Sequence, residues 1–237
     1  MDPTRVTPVL LPGNMCDARL WTAEVRDALP GAVDADLSFD TSIAAMAARA
    51  LSTNAGPLLP VGFSMGAIVA VEMWVQAPER IAGLVLLGYN ATADLPERAA
   101  HRPAQQAEVQ AGGLERVLVD ELKPNYVALE NRGNTPLLEL LRAMGMDLGA
   151  QVFVRQSEAL RLRADRVETL PMLDVAVLYG CGTEDALCPP AWHRRWEALT
   201  TDARFAEFAS AGHMLPLEAP QVLAATIAAW IDEKELT

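Results

Sequence analysis

The stretch Pro60-Val61-Gly62-Phe63-Ser64-Met65-Gly66-Ala67 constrains this chain more than any other. An apolar run (Leu58, Leu59, Val61) arrives at a serine held between two glycines, and a helical pattern leaves it. The form Gly-x-Ser-x-Gly is that of a nucleophile elbow, a tight strand-to-helix turn that exposes a hydroxyl. Glycines two residues before and two after the serine lack the side chains that would collide as strand and helix converge. The helix that follows turns its N-terminal N–H groups, and the positive end of its dipole, toward the place where an oxyanion would form.

The rest of the chain alternates around this turn. Apolar runs bounded by turn residues predict strands at 6–11, 32–37, 58–63 and 81–87. Helical spacing predicts a helix capped by Asp17 and running through Trp21 and Val25 to Leu29, then helices at 42–51 and 67–76. The continuous apolar run at 81–87 reads as a central parallel strand covered on both faces. This is the rhythm of an α/β fold, a mostly parallel sheet flanked by helices. It breaks at 91–165, where helical segments at 96–110, 114–122, 137–146 and 152–163 follow one another without a strand. It resumes with strands at 175–179 and 204–208 and helices at 190–199 and 222–235. The expected organisation is a core of 1–90 and 166–237 with a helical lid, 91–165, inserted in it.

Composition excludes several classes of partner. A net charge of −12 over 237 residues argues against a nucleic-acid surface or an anionic membrane. No apolar run approaches the length of a membrane span, and Met1-Asp2-Pro3-Thr4-Arg5 lacks the basic start of a signal peptide. Cys16, Cys181 and Cys188 are an odd number of cysteines, read as free thiols in a reducing compartment, so the cytoplasm is the expected location. Cys181 and Cys188 have no ligand-like neighbours, and neither a metal nor an organic cofactor is expected.

A serine hydroxyl needs a base to act as a nucleophile, and the base needs an orienting acid. The chain has three histidines. His101 lies in the lid segment beside Arg102 and reads as exposed. His193, in Trp192-His193-Arg194-Arg195-Trp196, reads as surface or packing. His213 follows a strand and so can reach the carboxyl edge of the sheet, where open parallel folds bind ligands; it is the expected base. The loop after 175–179 supplies the acid: Asp185, with Glu184 as a surface residue. Two backbone N–H groups should hold the oxyanion. One is that of Met65, and the other comes from the loop after the first strand, with Asn14 preferred to Met15.

Taken together, Leu10-Leu11-Pro12-Gly13-Asn14, Gly62-Phe63-Ser64-Met65-Gly66, Tyr179-Gly180 through Asp185 to Pro189, and Gly212-His213 followed by Leu217-Glu218-Ala219-Pro220 resemble the α/β-hydrolase superfamily. The order Ser64, Asp185, His213 is that family's order. The layout resembles the biotin-pathway carboxylesterase and related small esterases. The resemblance implies an eight-stranded sheet whose first two strands are missing here, and it implies histidine where this chain has Pro12. It also implies acyl transfer without a cofactor, since relatives that act on haloalkanes and epoxides place an aspartate at the elbow. Hydrolysis of a small-molecule ester, thioester or lactone is the expected activity. A carbon–carbon bond hydrolase, an aminopeptidase and a non-catalytic ligand receptor are the alternatives, and the chain is expected to be a monomer or homodimer.

Segment 91–165 holds nine Lys+Arg and eleven Asp+Glu, nearer neutral than the remainder. Arg155, Arg161, Arg163 and Arg166 lie close together in sequence and would suit a solvated helix face, an acidic substrate or an acyl carrier protein. Met15, Leu118, Leu122, Tyr126, Leu137, Leu141, Met144 and Phe153 are the candidates to line an apolar acyl pocket.

Overall fold

In a computed structural model that describes residues 5–53, 55–122 and 126–236, six strands form one sheet. They are β1 (Thr7–Leu11), β2 (Val33–Asp34), β3 (Leu58–Phe63), β4 (Gly83–Leu87), β5 (Ala176–Gly182) and β6 (Ala203–Phe208). Their order across the sheet is β2-β1-β3-β4-β5-β6, and every pairing is parallel. The described residues thus carry two strands fewer than the eight implied for the full fold.

The strands sort their side chains by alternation. Val9, Leu11, Leu84, Leu86, Val177 and Tyr179 face one side, packed with α2 (Ile43–Leu51), α3 (Met65–Gln76) and α7 (Pro190–Leu199). Leu10, Leu59, Val61, Phe63, Val85, Leu87 and Leu178 face the other, packed with α1 (Ala23–Asp27) and α9 (Pro220–Glu233). With both faces covered, each buried Leu or Val contributes roughly 1.5–3 kcal/mol over exposure. The chain leaves β1 toward β2 and returns to the other side of β1 as β3. This reversal opens a crevice at the carboxyl ends of β1 and β3, the usual place for a ligand in such sheets.

Between β4 and β5 the described residues form no strand, and their main helices follow one another. They comprise α4 (Pro96–Glu108), a wider-turned stretch from Val109 to Leu122 that includes α5 (Leu114–Arg116), and α6 (Thr135–Arg161). The two helices expected at 137–146 and 152–163 both lie within α6, divided at Gly149, whose φ of 81° and ψ of 174° are not helical. The helix expected to run from Asp17 to Leu29 is instead broken. Asp17 caps only a turn at Ala18–Leu20, and Trp21 is extended at φ −91° and ψ 100° with its side chain buried. Burial of that indole in the core overrides helix continuity, and α1 begins afresh at Ala23. Short α8 (Leu215–Glu218) precedes α9.

The elbow itself is a tight crossing. A Cβ added to Gly66 would lie 2.0 Å from the Leu11 carbonyl oxygen, and one added to Gly62 would lie 2.5 Å from the Gly66 carbonyl oxygen. Both obstacles are backbone, so neither can swing aside. Gly66→Ala is expected to destabilise the fold by about 3 kcal/mol through forced separation of α3 from β1. Urea unfolding checks this, and an unchanged midpoint would contradict the tight crossing.

Candidate active site

Ser64 directly follows β3 and sits at φ 53° and ψ −111°, a conformation that is strained for a side-chain-bearing residue. Its N–H donates to the Leu87 carbonyl at 2.8 Å, which ties the turn to β4. The strained turn points Oγ at His213, whose Nε2 is 3.0 Å away. On the far side of the ring, Nδ1 lies 2.8 Å from Asp185 Oδ2. The other carboxylate oxygen accepts the N–H groups of Leu187 at 2.9 Å and Cys188 at 2.8 Å. Burial alone would raise the Asp185 pKa. The attraction and hydrogen bond of His213, with the Cys188 N–H, outweigh it and hold the carboxyl below its ordinary value. Asp185 and His213 are both buried, and the imidazole packs against Phe63 and edge-on to Tyr126 at centroid distances of 5.0 and 5.7 Å.

These groups open into a cavity of about 300 Å³. Ser64, Met65 and Asn14 line it, as do His213, Leu122 and Tyr126. Met15 does not: at φ 54°, its N–H is turned onto Gln156 Oε1 at 2.8 Å. The same oxygen accepts Asn14 Nδ2 at 3.0 Å, and Gln156 Nε2 donates to the Leu37 carbonyl at 3.2 Å. A buried glutamine on α6 therefore fixes the loop after β1. Nothing in the sequence pattern singled out Gln156, because its partners lie more than a hundred residues away.

The apolar candidates divide. Leu118 and Leu141 reach only a void of about 10 Å³ beneath the cavity, shared with Met15, Leu122 and Tyr126. Met144 is buried with Leu137 and Leu141, and Phe153 packs with Met15, Val117 and Leu118 inside the helical segment. The four arginines grouped by sequence are each held by a different partner. Arg155 donates to the Ser38 carbonyl, Arg161 pairs with Glu158, Arg163 with Asp94 and Arg166 with Glu72. Glu184 is exposed and accepts the Leu129 N–H at 2.8 Å. Glu218 bridges two segments, accepting Gly212 N–H beside His213 at 2.9 Å and Ala128 N–H at 2.6 Å. The three cysteines are buried free thiols, and burial pushes the Cys188 thiol well up.

His101 is exposed, as read from the sequence, and lies at the cavity rim. His193 is not a surface group. It is fully buried, its Nε2 accepts the Tyr89 N–H at 3.0 Å, and its ring stacks on Phe205. The other nitrogen lies 3.3 Å from the Pro189 carbonyl, to which it donates. Burial pushes its pKa down to about 4, against the pull of the Pro189 carbonyl and Asp185.

Two outcomes follow. Gln156→Leu leaves the Met15 N–H and the Asn14 amide without their acceptor, and is expected to cost about 1–3 kcal/mol in urea unfolding; no change would contradict the loop's dependence on it. For His193, the unfolded ring titrates near 6.5 and the folded ring near 4. The unfolded chain therefore takes up this proton first as pH falls. The neutral ring's contribution is whole above pH 6.5 and is lost toward pH 4. Wild type is expected to lose on the order of 3 kcal/mol more than His193→Asn across that window. Equal losses would contradict a buried neutral ring.

Residues 9–226 match the model of the alpha/beta hydrolase family. Over 98% of its length the chain is 24% identical to the biotin biosynthesis bifunctional protein BioHC of Cellvibrio japonicus, and it spans about half the length of that relative. Among solved structures it resembles a thermophilic esterase from Thermogutta terrifontis, at 22% identity and a TM-score of 0.87, covering 98% of this chain and 91% of that one. It also resembles the enol-lactonase from Burkholderia xenovorans LB400, at 20% identity and a TM-score of 0.81, covering 97% and 92%. At these identities the structural likeness speaks for the fold, whereas the family match spans most of the sequence and includes the elbow, the acid loop and the histidine loop: the chain belongs to the alpha/beta hydrolase family.

Proposed function

We propose that this hydrolase cleaves a small-molecule carboxylic ester, or a thioester or lactone of the same kind, through an acyl-enzyme formed on Ser64. The observation that carries the reading is His213, which reaches Ser64 Oγ with one nitrogen and the Asp185 carboxylate with the other. Ser64 Oγ attacks the carbonyl carbon as His213 Nε2 takes its proton. Asp185 stays ionised, fixes the tautomer and stabilises the imidazolium. Negative charge gathers on the carbonyl oxygen, where the N–H groups of Met65 and Asn14 receive it. Met65 N–H is at the start of α3, so the helix dipole adds to it. With Met15 N–H given to Gln156 and Asn14 among the residues lining the cavity, this reading takes the Asn14 N–H as the donor from that loop. His213 then returns the proton to the leaving oxygen, and water repeats the sequence on the acyl group.

In this reading residues 1–90 and 166–237 are the catalytic core and 91–165 a lid whose helices roof the cavity. A volume at the small end of ligand sites favours a short acyl group. The two solved relatives are named an esterase and an enol-lactonase, activities that share the chemistry of acyl oxygen cleavage. Three buried free thiols fit the cytoplasm as the place of work.

Ser64→Ala is expected to lower kcat for a short p-nitrophenyl ester by about 10⁴-fold or more with the fold intact. Retained turnover would overturn the assignment of the nucleophile. Ligand binding without turnover by the wild type would favour a receptor.

A further inference from the structure

Four residues of α4 line the cavity that holds Ser64: Arg98, His101, Arg102 and Gln105. Their spacing of i, i+3, i+4 and i+7 puts them on one face of the helix. A helix face that only packs onto its neighbours is apolar. This one is polar and cationic, and no residue of α4 is buried. Three guanidiniums (Arg98, Arg102, Arg163) and two carboxylates (Asp94, Glu121) line the cavity, in a chain of net charge −12.

The carboxylates are already engaged. Asp94, with its side chain 1% exposed, takes Arg102 Nε at 2.6 Å and Arg163 Nη1 at 2.8 Å. Arg163 also donates to the carbonyls of Thr92, Ala93 and Leu160, so it is a fixed part of the wall. Glu121 takes Arg116 at 2.7 Å and Gln105 at 2.7 Å. Arg98 has no hydrogen-bond or ion-pair partner among the described residues. Its charge nonetheless reaches across the cavity, since it lowers the pKa of both the Tyr126 hydroxyl and the Cys188 thiol against the larger effect of burial. Tyr126 stands edge-on to His213, and Cys188 caps Asp185. A guanidinium without a partner among the described residues therefore lines the same small cavity as Ser64 and His213.

We propose that this face of α4 is a carboxylate-binding subsite, with Arg98 as its receiving group, and that the substrate is a small ester carrying a carboxylate of its own. The inference rests on the ester-hydrolase reading of Ser64. A planar guanidinium matches a carboxylate with two parallel N–H donors. Two guanidiniums sharing the one charge of Asp94 leave a positive field that draws an anion into the cavity of an otherwise acidic protein. An uncharged ester of the same length gains neither.

The test compares monoethyl glutarate with its uncharged isostere ethyl 4-carbamoylbutanoate, by kcat/KM at low ionic strength. Wild type is expected to favour the charged ester by about tenfold or more, and Arg98→Gln to bring the ratio near one. Arg132→Gln makes the same change in net charge away from the cavity and is expected to keep the wild-type ratio. A wild-type ratio near one, or the same ratio in Arg98→Gln as in wild type, would overturn the subsite. Calorimetric titration of glutarate into Ser64→Ala reads the subsite without turnover. Binding that Arg98→Gln weakens about tenfold in that background supports it, and absent or unchanged binding overturns it. Failure of the ester reading alone appears differently, as glutarate binding with neither ester cleaved by wild type.

Discussion

The site depends on one close crossing. At Gly66, α3 passes so near β1 that the space of a single Cβ is already filled by the Leu11 carbonyl oxygen. That approach forces the chain to turn within one residue, and the residue at the turn is Ser64. The hydrogen bond from Ser64 N–H to Leu87 locks the turn against the next strand. A strained serine is tolerated because the strands on either side of β3 and a buried helix determine its backbone on every side. The presentation of the Ser64 hydroxyl to the cavity is thus a product of sheet packing rather than of any property of the serine.

The other groups reach the same edge on loops, and loops need ties. Asp185 is fixed by two backbone N–H groups in its own turn, Leu187 and Cys188. The histidine loop is fixed by Glu218, which joins Gly212 to Ala128 and so links it to the helical segment. The loop after β1 is fixed by Gln156 from α6. Both ties run between the sheet domain's edge and the chain inserted between β4 and β5. That segment therefore helps to hold the arrangement around Ser64 and His213 as well as forming a wall of the cavity.

The sheet was legible because continuous apolar runs between turn residues have few alternatives. The bounds expected for β3 and α7 coincide with those observed, and β4 and β5 differ only at their ends. The weak run at 32–37 became a two-residue edge strand, β2, since it pairs on one side only. Ser64, Asp185 and His213 were legible through chain order and the scarcity of histidines, and the structure brings them within hydrogen-bond reach of one another. The cavity wall was less legible. Apolar residues such as Met144 and Phe153 pattern alike whether they line a pocket or fill a core, and here they fill it. The helical stripe of Arg98, His101, Arg102 and Gln105 was present in the sequence. Only the fold shows that this stripe borders the cavity. His193 belongs to the same class, a polar residue whose burial depends on how α7 meets the Tyr89 backbone.

The central claim is that the fold makes one serine nucleophilic. Mass spectrometry after reaction with a fluorophosphonate tests it most directly. One adduct per chain is predicted, on Ser64, at a rate that falls by about 10³-fold or more in His213→Gln, because the hydroxyl then lacks its base. An adduct on another residue, or labelling of Ser64 at an equal rate in both proteins, would contradict the account.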